Sequence, residues 1–226
     1  MFELNSNSKK ELILKRIFLA AITCLPLLAH ADDVAKTIVA KGNSHGATAC
    51  QSCHGADGGG MDAAGFPRLA GLDEAYLERQ MRNYRDGKRV NALMQPIAQG
   101  LSDKEVKHVA AYYSTLPVPA ITPKGGDQAM LLKGQILALE GDWNHDIPPC
   151  FQCHGPDGKG IKPDFSAIIG QPASYISSQI LAWKSGARTN DPAGLMKSVS
   201  DKLSADQIKN VSAFLSMQPL TNGNKK

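Results

Sequence analysis

Apolar residues fall along this chain in one unbroken run near the start and then in two parallel series of short, periodic stretches. The run extends from Ile17 to Leu28 and is interrupted only by Thr23 and Pro26. Beyond it, Ala35-Lys-Thr-Ile-Val-Ala-Lys-Gly42 alternates apolar and polar positions with a helical period, and so does Gly134-Gln-Ile-Leu-Ala-Leu-Glu-Gly141. Near the end of each series, Leu101-Ser-Asp-Lys-Glu-Val106 and Leu203-Ser-Ala-Asp-Gln-Ile208 place a Ser ahead of acidic residues and a periodic apolar run. That is the pattern of a helix start with a Ser N-cap.

Three more segments complete the parallel, which is the signature of an internal duplication. Phe66-Pro-Arg-Leu-Ala-Gly71 matches Phe165-Ser-Ala-Ile-Ile-Gly170, and Tyr76-Leu-Glu-Arg-Gln80 matches Tyr175-Ile-Ser-Ser-Gln179. Tyr84-Arg-Asp-Gly-Lys-Arg89 matches Trp183-Lys-Ser-Gly-Ala-Arg188. Between the copies, residues 116–126 are rich in Pro and Gly and read as a stiff linker. The expected organisation is a first domain over 32–117, a linker over 118–128 and a second domain over 129–226. The expected class is all-α, with long loops.

Charge and the opening run change the picture of where the protein works. Lys9, Lys10, Lys15 and Arg16 precede the apolar run, and Ala29-His30-Ala31 follows it with a small-x-small pattern. Residues 1–31 therefore read as a cleaved secretory signal peptide. Its apolar run is shorter than the roughly 20 residues a bilayer span needs. Without that segment the chain carries 21 basic and 19 acidic residues, close to neutral, with no basic stripe of the kind nucleic acid requires. Cys24 leaves with the signal peptide. Cys50, Cys53, Cys150 and Cys153 remain.

In an exported protein four cysteines would ordinarily form disulfides. Here they occur as Cys50-Gln-Ser-Cys53-His54 and Cys150-Phe-Gln-Cys153-His154, each followed by Gly, the pattern of a c-type haem attachment site. Residues three apart on a helical turn share a face, so both thiols can reach the two vinyl groups on one porphyrin edge. The adjacent imidazole can then ligate the iron. A redox disulfide does not call for a following His, and a zinc site would need a fourth ligand at each motif.

The other side of each iron decides between electron transfer and chemistry. Met94 precedes Leu101 by seven residues and Met196 precedes Leu203 by seven, despite an insertion around Asp191-Pro192-Ala193. A Met at the same place in both copies reads as a thioether ligand that closes the sixth position and raises the potential. Met61, Met81, Met130 and Met217 have no repeat partner, and His45, His108 and His145 are expected to face solvent. Tyr84 with Arg89, and Trp183 with Arg188, could hydrogen-bond haem propionates, or the rings could pack on the porphyrin with the Arg in water. Phe66 and Phe165 are expected to line the pockets. With 6% aromatic residues and 34 Gly and Pro, each half of about 90–100 residues would struggle to build a core without a buried porphyrin.

The motifs and the order of these segments resemble the cytochrome c4 family of dihaem cytochromes, over nearly all of the mature chain. The resemblance implies tandem cytochrome c class I-like domains with two covalent haem c groups and axial pairs His54/Met94 and His154/Met196. It also implies a periplasmic electron carrier, often associated with the membrane face. Such a carrier takes electrons from a membrane oxidoreductase and passes them toward a terminal oxidase or other acceptor. The alternatives in function are a cytochrome subunit of a periplasmic dehydrogenase complex and a dihaem peroxidase.

Overall fold

The computed structural model describes residues 25–120 and 126–219, with residues 25–31 described by their backbone alone. Of the expected signal peptide, residues 1–24 lie outside the described residues, as do residues 121–125 of the expected linker. Among the described residues regular structure is helical, and extended pairing is confined to isolated bridges. No described helix is long and apolar enough to cross a membrane.

The helices fall into two series that repeat one another. The first comprises α1 (Leu25–Lys41), α2 (Gln51–His54), α3 (Glu74–Arg85), α4 (Met94–Gln99) and α5 (Asp103–Thr115). The second comprises α6 (Gln128–Leu139), α7 (Cys150–His154), α8 (Ala173–Ser185), α9 (Leu195–Lys202) and α10 (Ala205–Ser216). Ser102 and Ser204 cap α5 and α10 as the sequence predicts. Each hydroxyl accepts the N–H three residues on, and Glu105 or Gln207 returns a bond to the Ser backbone. Asp73 caps α3 and Asp127 caps α6 in the same way, through a side-chain oxygen.

In each series the first long helix crosses the last: α1 packs on α5, and α6 packs on α10. The crossing is tighter in the second copy, where Gly134 passes the backbone of α10. A Cβ on Gly134 would lie 2.1 Å from Asn210 O. Its counterpart Ala35 is buried at the matching crossing. Leu137, Ile147, Ile169, Ile176, Ile180, Ile208, Val211 and Leu215 form the second core. The first core is split into one cluster around Val39, Leu77 and Tyr113 and another around Ile38, Leu101 and Val106.

The two copies meet along segments of the repeats themselves rather than through a separate docking element. Arg89 and Arg188 form an antiparallel bridge, with Val90 N–H donating to Ala187 O and Thr189 N–H to Lys88 O, both at 2.8 Å. Ser174 Oγ donates to Asp62 O at 2.9 Å, and Arg79 Nη2 donates to Pro163 O at 2.8 Å. Arg68, 2% exposed, donates from its guanidinium to Ala70 O and, at 3.3 Å each, to Ile169 O and Gly170 O.

Candidate functional site

Cys50 has helical backbone angles (φ −61°, ψ −39°) and opens the short helix α2, while Cys150 begins α7. Each pair of cysteines thus lies three residues apart on one turn, and all four thiols are free. Burial pushes the Cys50 thiol up and carries that of Cys150 to about 11, so neither leading cysteine has the depressed pKa of a redox-active Cys-x-x-Cys. Gly55 and Gly155 end the two helices with φ of +81° and +86°, the tight exit expected of the residue after the His.

The loops beyond the motifs fix the imidazoles. Gly60 N–H donates to His54 O at 2.9 Å, and Gly160 N–H to His154 O at 2.8 Å, so each loop turns back over its helix. Gly60 and Gly160 lie so close to the returning chain that a Cβ would stand 2.6 Å from Arg68 N or Ala167 N. That approach brings the preceding carbonyls under the rings. His54 Nδ1 bonds Pro67 O at 2.9 Å, and His154 Nδ1 bonds Ser166 O at 2.7 Å. With Nδ1–H donating to a carbonyl, Nε2 carries the free lone pair and is the nitrogen available to a metal. Burial lowers the pKa of both imidazoles, favouring the neutral ligand form. Phe66 and Phe165 stand against these rings, with centroids 6.3 Å and 6.1 Å away.

Met94 and Met196 lie at the N-terminal ends of α4 and α9, both partly buried. Asn91 Oδ1 accepts the Leu93 and Met94 N–H groups at 3.0 Å and 2.9 Å, and Asp191 Oδ2 accepts Lys197 N–H at 2.9 Å. Different side chains therefore pin the two Met-bearing turns. The insertion before Met196 forms a short 3-10 turn, Pro192–Gly194, in which Ala193 has φ of +55°.

The residues around each motif fit a haem. Arg89 and Arg188 are 5% and 4% exposed, which removes the alternative of solvated guanidiniums. Arg89 lies over the Tyr84 ring at 4.6 Å and Arg188 over the Trp183 indole at 3.8 Å. Trp183 Nε1 is buried with no hydrogen-bond partner, and the hydrogen bonds of both guanidiniums go to neutral oxygens. Buried cations and an orphaned donor beside a Cys-x-x-Cys-His turn suit the propionates of a porphyrin.

His45 and His145 are exposed as expected. His108 departs from expectation. It sits half-buried on α5, and its Nδ1 is buried without a hydrogen-bond partner among the described residues. Sequence reasoning also assigned no role to Gln80, Gln179 or Arg68. The two Gln residues were visible as a repeat-matched pair, whereas Arg68 has Ala167 as its counterpart and left no repeat signal.

A family model described as cytochrome c matches residues 39–117 and 148–218. The chain is 42% identical over 194 residues to the thiosulfate dehydrogenase electron acceptor of Stutzerimonas stutzeri (strain A1501), spanning 86% of this chain and 90% of that protein. It is 35% identical over 190 residues to cytochrome c4 of Pseudomonas aeruginosa, spanning 83% of this chain and 90% of that one. Among solved structures, thiosulfate dehydrogenase (TsdBA) from Marichromatium purpuratum superposes with a TM-score of 0.78 at 38% identity. That match covers 84% of this chain but 41% of the other, so this chain spans about two-fifths of that longer protein.

Proposed function

The chain belongs to the cytochrome c family, as a dihaem electron-transfer cytochrome of the cytochrome c4 kind, and from that premise we propose a carrier that takes electrons from a thiosulfate-oxidising dehydrogenase in the periplasm and passes them toward a terminal oxidase. In this reading residues 1–31 are removed on export. Residues 32–117 and 129–226 each form one monohaem domain, joined through 118–128. The protein itself performs no substrate chemistry.

Haem c supplies a one-electron iron couple. Cys50 and Cys53, and Cys150 and Cys153, would hold it as thioethers. His54 and His154 would ligate through Nε2, kept in that tautomer by Pro67 O and Ser166 O. Met94 and Met196 would supply a second protein ligand to each iron, which would leave no ready position for small oxidants and suit electron passage over peroxide turnover. The observation that carries this reading is the duplication of the whole constellation. Both copies keep the thiol pair, the carbonyl-tethered imidazole and the Met in the first turn of α4 or α9.

A second reading, a standing subunit of a dehydrogenase complex, is favoured by the likeness to part of the longer Marichromatium purpuratum chain. The test of the first is rapid mixing of the oxidised holoprotein with a thiosulfate dehydrogenase and thiosulfate. Reduction of both haems in bimolecular, concentration-dependent kinetics supports a diffusing carrier. Co-purification in fixed stoichiometry with a catalytic chain supports the subunit instead, and turnover of hydrogen peroxide would overturn both.

A further inference from the structure

Four side chains matched by the repeat close into a ring between the two copies. Gln80 Oε1 accepts from Arg89 Nη1 and from Arg188 Nη2, both at 3.1 Å. Gln179 Oε1 accepts from Arg89 Nη2 at 2.6 Å and from Arg188 Nη1 at 2.9 Å. Each guanidinium therefore donates to both amide oxygens, and each oxygen is shared by guanidiniums from both copies. Asn190 Nδ2 adds a third bond to Gln80 Oε1 at 3.0 Å, and Tyr175 Oη takes a further bond from Arg89 Nη2 at 2.7 Å. No carboxylate of the described residues hydrogen-bonds either guanidinium, although both are buried.

Two like charges in a low-dielectric boundary repel, and an amide oxygen between them offsets that repulsion only in part. The backbone bridge at Arg89 and Arg188 holds the two charges side by side at the boundary. Each guanidinium lies over an aromatic ring of its own copy, Tyr84 at 4.6 Å and Trp183 at 3.8 Å, and the Trp183 Nε1 donor is buried without a partner among the described residues. Arg89 stands five residues before Met94 and Arg188 eight before Met196, so each copy sets its cation on the segment that leads to the Met assigned to its haem.

Resting on the reading above that each copy holds a haem, we propose that Gln80 and Gln179 are positioning residues. They fuse the Arg89 and Arg188 guanidiniums into one cationic centre shared by both haems, so that the two potentials are set jointly rather than domain by domain. A charge change at either Gln is then felt on both sides of the boundary.

The experiment is a haem-resolved potentiometric titration of the holoprotein and of Gln80→Glu and Gln179→Glu, following the separate ferric haem-methyl NMR resonances. Each variant replaces an amide with a carboxylate of the same shape and keeps the acceptor oxygens. A shared centre makes either variant favour the ferric state of both haems. The expected rise in the ferric-to-ferrous ratio at fixed potential is about tenfold at each, equivalent to ~59 mV for a one-electron couple. The proposal is overturned if each variant moves only the haem of its own copy, or if neither haem moves. The haem count of the wild-type protein, from its pyridine haemochrome, separates the two layers of the argument. A count other than two overturns the two-haem reading, whereas two haems that respond one at a time overturn only the shared centre.

Discussion

Arg68 and Gln171 exchange two hydrogen bonds across the boundary between the copies. Arg68 N–H donates to Gln171 Oε1 at 2.9 Å and Gln171 Nε2 donates to Arg68 O at 3.0 Å. The guanidinium of the same Arg reaches further, to Ile169 O and Gly170 O, and burial pulls its pKa down to about 10. Arg68→Met leaves the backbone exchange intact but strips a donor from buried carbonyls, each costing roughly 1–3 kcal/mol when unsatisfied. The lost desolvation cost of the cation offsets part of this, so a net destabilisation of about 2 kcal/mol is expected in urea melts. Looser packing between the copies should accompany it, read as a larger radius of gyration in solution scattering.

Gly134→Ala tests the tight crossing of α6 over α10. The added methyl would lie 2.1 Å from Asn210 O, which belongs to helix backbone and cannot swing aside. The helices must separate, at a cost of about 1–3 kcal/mol typical of overpacking. The reverse change, Ala35→Gly in α1, leaves a small void and adds backbone freedom, at roughly 0.5–1 kcal/mol. Thermal melts of the two variants should therefore rank Gly134→Ala as the more damaging.

Glu105 gives the cap of α5 an acid sensitivity that the cap of α10 lacks. Burial works to raise its pKa, but the hydrogen bonds from Ser102 and Asn43 outweigh that and hold it below the ordinary value. A carboxylate lowered in the folded state stabilises it above the unfolded pKa and loses that contribution as pH falls through the folded one. Gln207 fills the same capping position in α10 without a charge. Glu105→Gln should thus cost stability at neutral pH, with the difference from wild type shrinking as the pH drops below about 4.5. Denaturant midpoints measured from pH 6 to pH 3 would show it, and a difference that grows toward acid would contradict it.

The axial assignment predicts a clean arithmetic of spin states. Met94→Ala and Met196→Ala should each convert one of two low-spin haems to high spin and remove about half of the Met–iron charge-transfer absorption, and the double variant should remove it all. Electron paramagnetic resonance of the oxidised protein counts the two populations. A single variant that stays wholly low-spin would assign the ligand elsewhere.

What could be read in the sequence was local or repeated. Cys50 to His54 spans one helical turn, so its chemistry is legible without tertiary structure. Ser102 with Glu105 and Ser204 with Gln207 declare their helices within four residues. The fold class followed from the same periodicity, and the helical structure and the family match agree with it. What stayed hidden was long-range. Gln80 meets Arg188 across 108 positions, and Arg68 reaches Ile169 across 101, by contacts that no local pattern encodes. The half-burial of His108 was hidden for a different reason, since a lone polar residue on an amphipathic helix carries no mark of which neighbour will cover it. The repeat did align Gln80 with Gln179, but alignment reveals equivalence and is silent on contact.

The boundary between the copies is held at separated points: the Arg89–Arg188 bridge, the Arg68–Gln171 exchange, and Arg79 on the chain at Pro163. Bodies pinned at several separated places have little freedom to rotate. An electron crossing such a joint need not wait for the halves to find each other, as it would in carriers whose cofactor domains swing on a tether. In the proposed two-haem carrier, transfer within the molecule would therefore be free of conformational gating and insensitive to solvent viscosity, governed by the small local relaxation around each centre. Slow diffusional search is confined to encounters with other proteins.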